Sequence, residues 1–327
     1  MANGSAKHRV VITGRIAEEA IRLLVPTCEV ECTKPYLPPA EFGATLAAAK
    51  ADALLVRGVA GKVTREVMEA SPNLRVIAKH GVGVDNIDVA AATDLRIAVL
   101  NTPAANYESV AEHVLALMLA LAKDISCLDG RMRDGQWDKM GYRGRELLGK
   151  TLGLVGFGRI GRRVQELVAP LRMRVLVFDP LLAPEWRWPD VTRVDTLAPL
   201  LQAVDVVSLH CPLTEKTRGL IGRREFQQMK TTAWLINTAR GAVVDEEALI
   251  AALEAGEIAG AGLDTFNQEP PADLARLVKA GKTVLTPHVA GVTEESFVRR
   301  GVTAAEGILR VLAGEAPDPQ CWVNHFE

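Results

Sequence analysis

Aromatic residues are scarce, at 5% of 327 positions, which leaves little for a stacking platform that grips single-stranded nucleic acid. An excess of positive charge is also missing. There are 38 lysines and arginines against 40 acids, a net charge of -2, so no broad basic face neutralises a phosphate backbone. That balance still allows a small anion, which needs only one or two local cations. Cysteines are few and odd in number, at 28, 32, 127, 211 and 321. Such a dispersed set is not a disulfide framework. Three residues separate Cys28 from Cys32, so there is no C-x-x-C redox or zinc motif, and no metal is expected. The set reads as reduced thiols of a cytoplasmic protein. No apolar run approaches the roughly 20 residues that span a bilayer. The most apolar stretch, 110–122, is interrupted by Glu112 and His113. The first residues lack the apolar core of a signal peptide. No nucleic-acid partner and no membrane partner are expected.

What is present is an alternation of short apolar runs with helical patterns. The length predicts about two domains, and 48% hydrophobic with 24% charged residues is ordinary globular usage. Strands are predicted over 9–12, 29–33, 53–56, 75–79 and 97–100, with helices over 17–24, 39–50, 64–70 and 88–93. The strands are nearly continuous apolar runs, as parallel strands covered on both faces require. A doubly wound α/β unit follows. One long helix is predicted over 107–128, apolar on nearly every side and therefore buried. A polar stretch over 129–150 comes next. A second alternation begins at Thr151, with strands over 151–155, 174–178, 204–209, 234–237, 260–263 and 284–285. Its helices are predicted over 160–171, 223–229 and 246–255, and the last helix of the chain over 294–312.

Gly156-Phe157-Gly158-Arg159-Ile160-Gly161 matches G-x-G-x-x-G between a predicted strand and a predicted helix, the context in which that pattern binds a dinucleotide. Gly156 would make the tight turn, Gly158 would let backbone approach a pyrophosphate, and Gly161 would permit close helix–strand packing. The pyrophosphate would lie at the helix N-terminus, where free N–H groups and the dipole favour an anion. Asp179 closes the next strand about 20 residues on, where an acid binds ribose hydroxyls. An acid there repels a 2′-phosphate, which favours NAD over NADP. Otherwise Asp179 would be a turn residue before Pro180.

Such a cofactor supplies hydride chemistry, and the protein supplies the rest. A group titrating near neutrality must move the hydroxyl proton, and histidine is the usual one. An arginine fork suits a carboxylate. Arg240, Glu269 and His288 each follow a predicted strand of the second unit, at the sheet edge where open α/β folds place ligands. Taken singly they could be a surface charge, a solvated loop acid and a turn histidine; their convergence on one edge favours catalysis.

The sequence resembles the D-isomer-specific 2-hydroxyacid dehydrogenase family, the group containing phosphoglycerate dehydrogenase. The matching segments run nearly end to end: residues 80–88, Asn101-Thr102-Pro103, Ser109-Val110-Ala111-Glu112-His113, 147–161, 210–214, 237–241, 263–266, Glu269-Pro270 and Pro287-His288. The resemblance implies a Rossmann NAD-binding domain, 102–287, inserted into a flavodoxin-like substrate domain of 1–101 and 288–327. Both would be doubly wound parallel sheets, with His288 at the hinge. It implies that His288 is the general acid–base, that Glu269 orients it, and that Arg240 and the backbone of Gly81, Val82 and Gly83 hold the substrate carboxylate. His210, Cys211, Pro212, Thr217, Thr238 and Asp264 would line the cofactor, Asp264 facing the carboxamide. Residues 107–150 resemble a dimerisation element, so a homodimer is expected.

Arg57 and Lys62 could hold a second anionic group. Their loop departs from the phosphoglycerate branch's Arg-Ser-x-Thr-Lys pattern, and the tail is short for that branch's regulatory domains. Phosphoglycerate dehydrogenase-like activity, hydroxypyruvate or glyoxylate reduction, and sulfolactate-type oxidation are all open on these residues. A reading of another class, an NAD-responsive corepressor that binds partner peptides, finds no interaction tail to support it.

Overall fold

The structure is a computed structural model that describes residues 7–57 and 62–326. The start of the chain and the glycines between Arg57 and Lys62 lie outside the described residues. In chain order the first strands and helices are β1 (His8–Thr13), α1 (Glu18–Leu24), β2 (Cys28–Thr33), α2 (Pro39–Ala49), β3 (Ala53–Val56), α3 (Arg65–Glu69), β4 (Val76–Lys79), α4 (Val89–Asp94) and β5 (Ala98–Leu100). Then come α5 (Tyr107–Lys123), α6 (Ile125–Arg133), β6 (Thr151–Val155), α7 (Arg159–Val168), β7 (Arg174–Phe178), β8 (Val191–Arg193), α8 (Leu197–Ala203), β9 (Val206–Leu209), α9 (Arg223–Phe226), β10 (Trp234–Asn237), α10 (Glu246–Glu254), β11 (Gly260–Leu263), α11 (Leu274–Ala280), β12 (Thr283–Leu285) and α12 (Glu294–Leu312).

The chain divides into two units, Met1–Asn106 with Val292–Glu327, and Tyr107–Gly291. His288 falls in the second. The first unit holds a five-stranded sheet in the order β2-β1-β3-β4-β5, parallel throughout. This is the flavodoxin-like order. Apolar side chains from alternate strand positions fill one core on each face. Val10, Ile12, Leu55 and Ala78 pack with Ile308 and Leu312 of α12, while Val11, Leu54, Val56 and Ile77 pack with Phe42, Leu46 and Met68. Both chain ends build this unit. Asn324 accepts from the Val99 N–H at 2.7 Å and donates to the Ile97 carbonyl at 2.9 Å.

The second unit holds seven strands in the order β12-β11-β10-β9-β6-β7-β8, again parallel throughout. Counted from β6, that is the 3-2-1-4-5-6 dinucleotide-binding order with a seventh strand added. Its direction reverses between β6 and β9, so ligands are expected in the crevice beyond those two strand ends.

The long helix expected over 107–128 is two helices. They part at Asp124, which takes φ +50 and pairs with Lys282. α5 buries Val110, Val114, Leu117, Met118 and Leu121, whereas α6 buries none of its residues. The break lets the chain leave the core. Three further elements, β8, α8 and α11, were not expected from the sequence pattern.

Candidate active site

The glycine loop is built as its sequence requires. Gly156 has φ +95, and a Cβ there would lie 2.9 Å from the carbonyl carbon of His210. A Cβ on Gly161 would meet the Gly156 carbonyl oxygen at 2.5 Å, so only glycine lets α7 start this close to β6. Gly158, the N-cap of α7, has nothing within 4 Å of its Cβ direction. Open space thus lies before the first turn formed by Arg159, Ile160 and Gly161. Asp179 does two jobs. It accepts from the Phe157 N–H at 2.8 Å and from the Leu181 N–H at 2.9 Å, and so ties the turn before Pro180 to the glycine loop. Carboxylate lone pairs remain for hydroxyl donors.

Across the crevice, the loop after β9 carries His210, Cys211 and Pro212. The His210 ring nitrogens are buried without hydrogen-bond partners among the described residues. Burial pushes its pKa down to about 3, which keeps the ring neutral. Burial likewise pushes the Cys211 thiol up to about 11, so it is not a nucleophile. Thr217 shapes this loop, donating to the Pro212 carbonyl at 2.6 Å and accepting from the Thr214 N–H at 2.8 Å. Thr238, past β10, is buried, and its hydroxyl has no partner among the described residues. A buried hydroxyl left unpaired is costly, and a bound ligand would satisfy it. The open helix start, the acid and the orphan hydroxyl fit a dinucleotide.

The candidate acid–base pair, His288 with Glu269, lies beyond β11 and β12. His288 Nδ1 is 2.7 Å from Glu269 Oε2, and Glu269 Oε1 accepts from the Phe266 N–H at 3.2 Å. With Nδ1–H donated to the carboxylate, Nε2 is the ring nitrogen left for a substrate. Burial opposes ionisation of Glu269. The His288 hydrogen bond and charge, the Phe266 N–H and the Arg240 charge outweigh it and hold the carboxyl below its ordinary value. A cavity of about 290 Å³ adjoins the pair, walled by Phe266, Pro270, Leu274, Leu285 and Pro287. A larger cavity of about 720 Å³ lies at the other end of β6 and β7, lined by Thr151, Arg172 and Arg174. Ligands of such sheets sit at the carboxyl ends, so it is not the reaction site.

Arg240 follows β10 and donates to the Ala239 carbonyl at 2.7 Å. Its loop abuts the loop after β11. A Cβ on Gly241 would come closer than 3.0 Å to Phe266 C and O and to Asn267 N. Asn237 ties the arginine loop internally, donating to the Arg240 carbonyl and accepting from the Ala239 N–H. Asp264 is fully buried. Its carboxylate accepts from the Thr286 hydroxyl at 2.6 Å and from the Val289 and Ala290 N–H groups at 2.8 Å each.

The remaining sequence candidates belong to the first unit. Gly81 takes φ +153, and its N–H is taken by the Lys79 carbonyl. The N–H groups of Val82 and Gly83 have no partner among the described residues. Arg57 donates to the Arg15 carbonyl at 2.5 Å, and its guanidinium lies 4.9 Å from the centre of the Phe297 ring. Lys62 is exposed. His80 stacks obliquely on the same Phe297, centroids 5.4 Å apart. Burial, with Arg300 and Arg57 nearby, pushes its pKa down to about 3. No carboxylate pairs with Arg57 or Arg300 among the described residues.

Sequence reasoning named no role for His113, Thr286 or Gly241. His113 and Gly241 lie inside the matching segments 109–113 and 237–241, and the Glu112-His113 interruption of a buried helix was a further signal. Thr286 was visible only as a polar residue after a predicted strand.

A family model described as the NAD binding domain of D-isomer specific 2-hydroxyacid dehydrogenases matches residues 115–290. A hydroxypyruvate reductase of Thermotoga maritima is 41% identical over 309 residues, covering 94% of this chain and 99% of that protein. A D-3-phosphoglycerate dehydrogenase of Methanocaldococcus jannaschii is 41% identical over 308 residues, 94% of this chain and 58% of that protein. The chain spans about half the length of the phosphoglycerate dehydrogenases it matches. Among solved structures, a Thermus thermophilus protein aligns with TM-score 0.87 and 37% identity, covering 96% of this chain and 99% of that one. A D-lactate dehydrogenase with NAD+ from Lactobacillus jensenii aligns with TM-score 0.78 and 29% identity, covering 97% and 100%. With these likenesses added to the glycine loop and the paired His288 and Glu269, the chain belongs to the D-isomer-specific 2-hydroxyacid dehydrogenases, NAD-dependent oxidoreductases of 2-hydroxy acids.

Proposed function

We propose that the protein interconverts a short 2-oxo acid and its D-2-hydroxy acid, with hydroxypyruvate and glyoxylate the first substrates to test. The observation that carries this reading is the 2.7 Å contact between His288 Nδ1 and Glu269 Oε2. It leaves Nε2 to protonate the carbonyl oxygen in reduction and to take that proton back in oxidation. Glu269 fixes the tautomer and stabilises the imidazolium. Arg240 holds the substrate carboxylate and polarises the carbonyl. Bound NADH supplies the hydride. The starts of Gly158 to Gly161 receive its pyrophosphate, Asp179 its ribose and Thr238 its nicotinamide end. The full-length match to the Thermotoga hydroxypyruvate reductase supports the non-phosphorylated acids.

A specific observation favours a second reading. Among the described residues Arg57 and Arg300 have no acidic partner, and burial beside Arg57 and Arg299 pushes Arg300 down to about 10. Cations so placed suit an acid with a second anionic group, such as 3-phosphoglycerate or sulfolactate. Absorbance loss of NADH with hydroxypyruvate, glyoxylate, 3-phosphohydroxypyruvate and sulfopyruvate separates the readings. Turnover of none of them would overturn both.

The domain roles follow the same reading. The NAD-binding domain is the inserted segment near 102–287, and the substrate domain is built from both chain ends. We also propose a cytoplasmic homodimer that needs no nucleic acid or membrane. α6 buries nothing of its own, and Ile125, Met132, Trp137, Met140 and Leu148 are exposed. Such an apolar run suits a partner copy. Five free thiols suit a reducing compartment. No helix among the described residues is long and apolar enough to cross a membrane.

A further inference from the structure

Asp264 is an unusual group for its place. It is 0% exposed, and among the described residues no lysine or arginine pairs with it. A buried carboxylate must be held by donors. Here the donors are Thr286, Val289 and Ala290, which bracket His288 on both sides. His288 itself takes φ +55, a conformation that residues with a side chain seldom adopt. The carboxylate thus staples a turn that would otherwise relax, and that turn aims the imidazole.

The staple has a further link on a different element. An ionised carboxylate only accepts hydrogen bonds, so the Thr286 hydroxyl proton points at Asp264. The Thr286 oxygen must then accept from its other neighbour, His113 Nε2, 2.9 Å away. His113 lies on α5, and the same nitrogen is 3.7 Å from Asp264 Oδ1. The direction of the chain is therefore fixed: His113 donates to Thr286, and Thr286 donates to Asp264.

We propose that His113 is a positioning residue for the reaction, acting through Thr286 and Asp264 on the turn that presents His288 to the substrate. This rests on His288 being the acid–base group. A ring tilted away from its line of transfer loses rate, whereas a carboxylate held by Arg240 binds as before. The defect therefore belongs in kcat.

The test uses five single variants, His288→Ala among them, and one double variant of the full chain, each assayed below its own melting temperature. Thr286→Val keeps the shape and removes the hydroxyl, and His113→Leu removes the donor. Each should lower kcat by about 10-fold or more, since small misplacements at a reacting centre are costly. KM for the 2-oxo acid and Kd for NADH should stay within about twofold, as loss of transition-state contacts alone predicts. Thr286→Ser and His113→Gln, which restore a hydroxyl and an N–H donor, should recover most of the rate. The double variant His113→Leu/Thr286→Val should be no slower than the slower single one, because links of one chain are not additive.

Unchanged kcat in Thr286→Val and His113→Leu overturns the proposal. So does multiplication of the two effects, or a loss in all variants that tracks melting temperature without rescue. Should His288→Ala keep full activity, the acid–base reading itself fails. An inactive His288→Ala beside silent His113 and Thr286 variants removes only the positioning role.

Discussion

Gly241→Ala is the sharpest test of how the site is assembled. The added Cβ would press on the backbone of Phe266 and Asn267 at less than 3.0 Å, where ordinary contact begins near 3.4 Å. Backbone cannot rotate away as a long side chain can. The loops after β10 and β11 must therefore part by on the order of 1 Å, and a shift of that size at a reacting centre costs about 10²-fold in rate. Forced overpacking costs about 1–3 kcal/mol. In a domain of this size each kcal/mol moves Tm by roughly 2–4 °C. We expect kcat/KM to fall about 10²-fold in the NADH-linked assay with the preferred 2-oxo acid. Tm by circular dichroism should fall by about 5 °C. NADH binding should be retained in large part, because the glycine loop belongs to β6 and α7. A variant with wild-type kcat/KM and Tm would refute the argument, since it would mean that the two loops do not meet backbone to backbone.

Four further outcomes are expected. His288→Ala should lower kcat by at least about 10²-fold, the scale of lost acid–base catalysis; near-normal turnover would remove its role. Arg240→Lys should raise KM and lower kcat together, because a point charge cannot reproduce a bidentate fork, and unchanged constants would count against that clamp. Asp179→Ala should erode the preference for NAD over NADP, and it should also loosen the loop at Phe157, seen as weaker NADH binding. Glu269 is held below its ordinary value of 4.5, so its stabilising contribution is present above that value and lost as pH falls through the depressed folded one. Urea midpoints followed from about pH 5 to pH 3 should fall less steeply in Glu269→Gln than in the parent.

Much of this protein is written locally. Continuous apolar runs mark both sheets, because a strand covered on two faces needs no alternation, and α12 begins and ends where its periodicity predicts. Gly156, Gly158 and Gly161 declare their chemistry because each lacks a Cβ for a separate local reason. Arg240, Glu269 and His288 could be ranked as a set because a parallel sheet brings successive strand ends to one edge. The break at Asp124 could not be read, since no glycine or proline marks its left-handed backbone, and the lysine it pairs with, Lys282, lies far along the chain.

The sequence by itself thus determined the fold class and the dinucleotide loop and singled out the candidate catalytic groups, all of which depend on residue type and short spacing. Tertiary structure alone decided which oxygen of Glu269 meets His288, why Gly241 has no room for a side chain, and how His113 reaches the turn through Thr286. Those are contacts between loops and helices separated by up to 173 residues, and no periodicity carries information across such a distance.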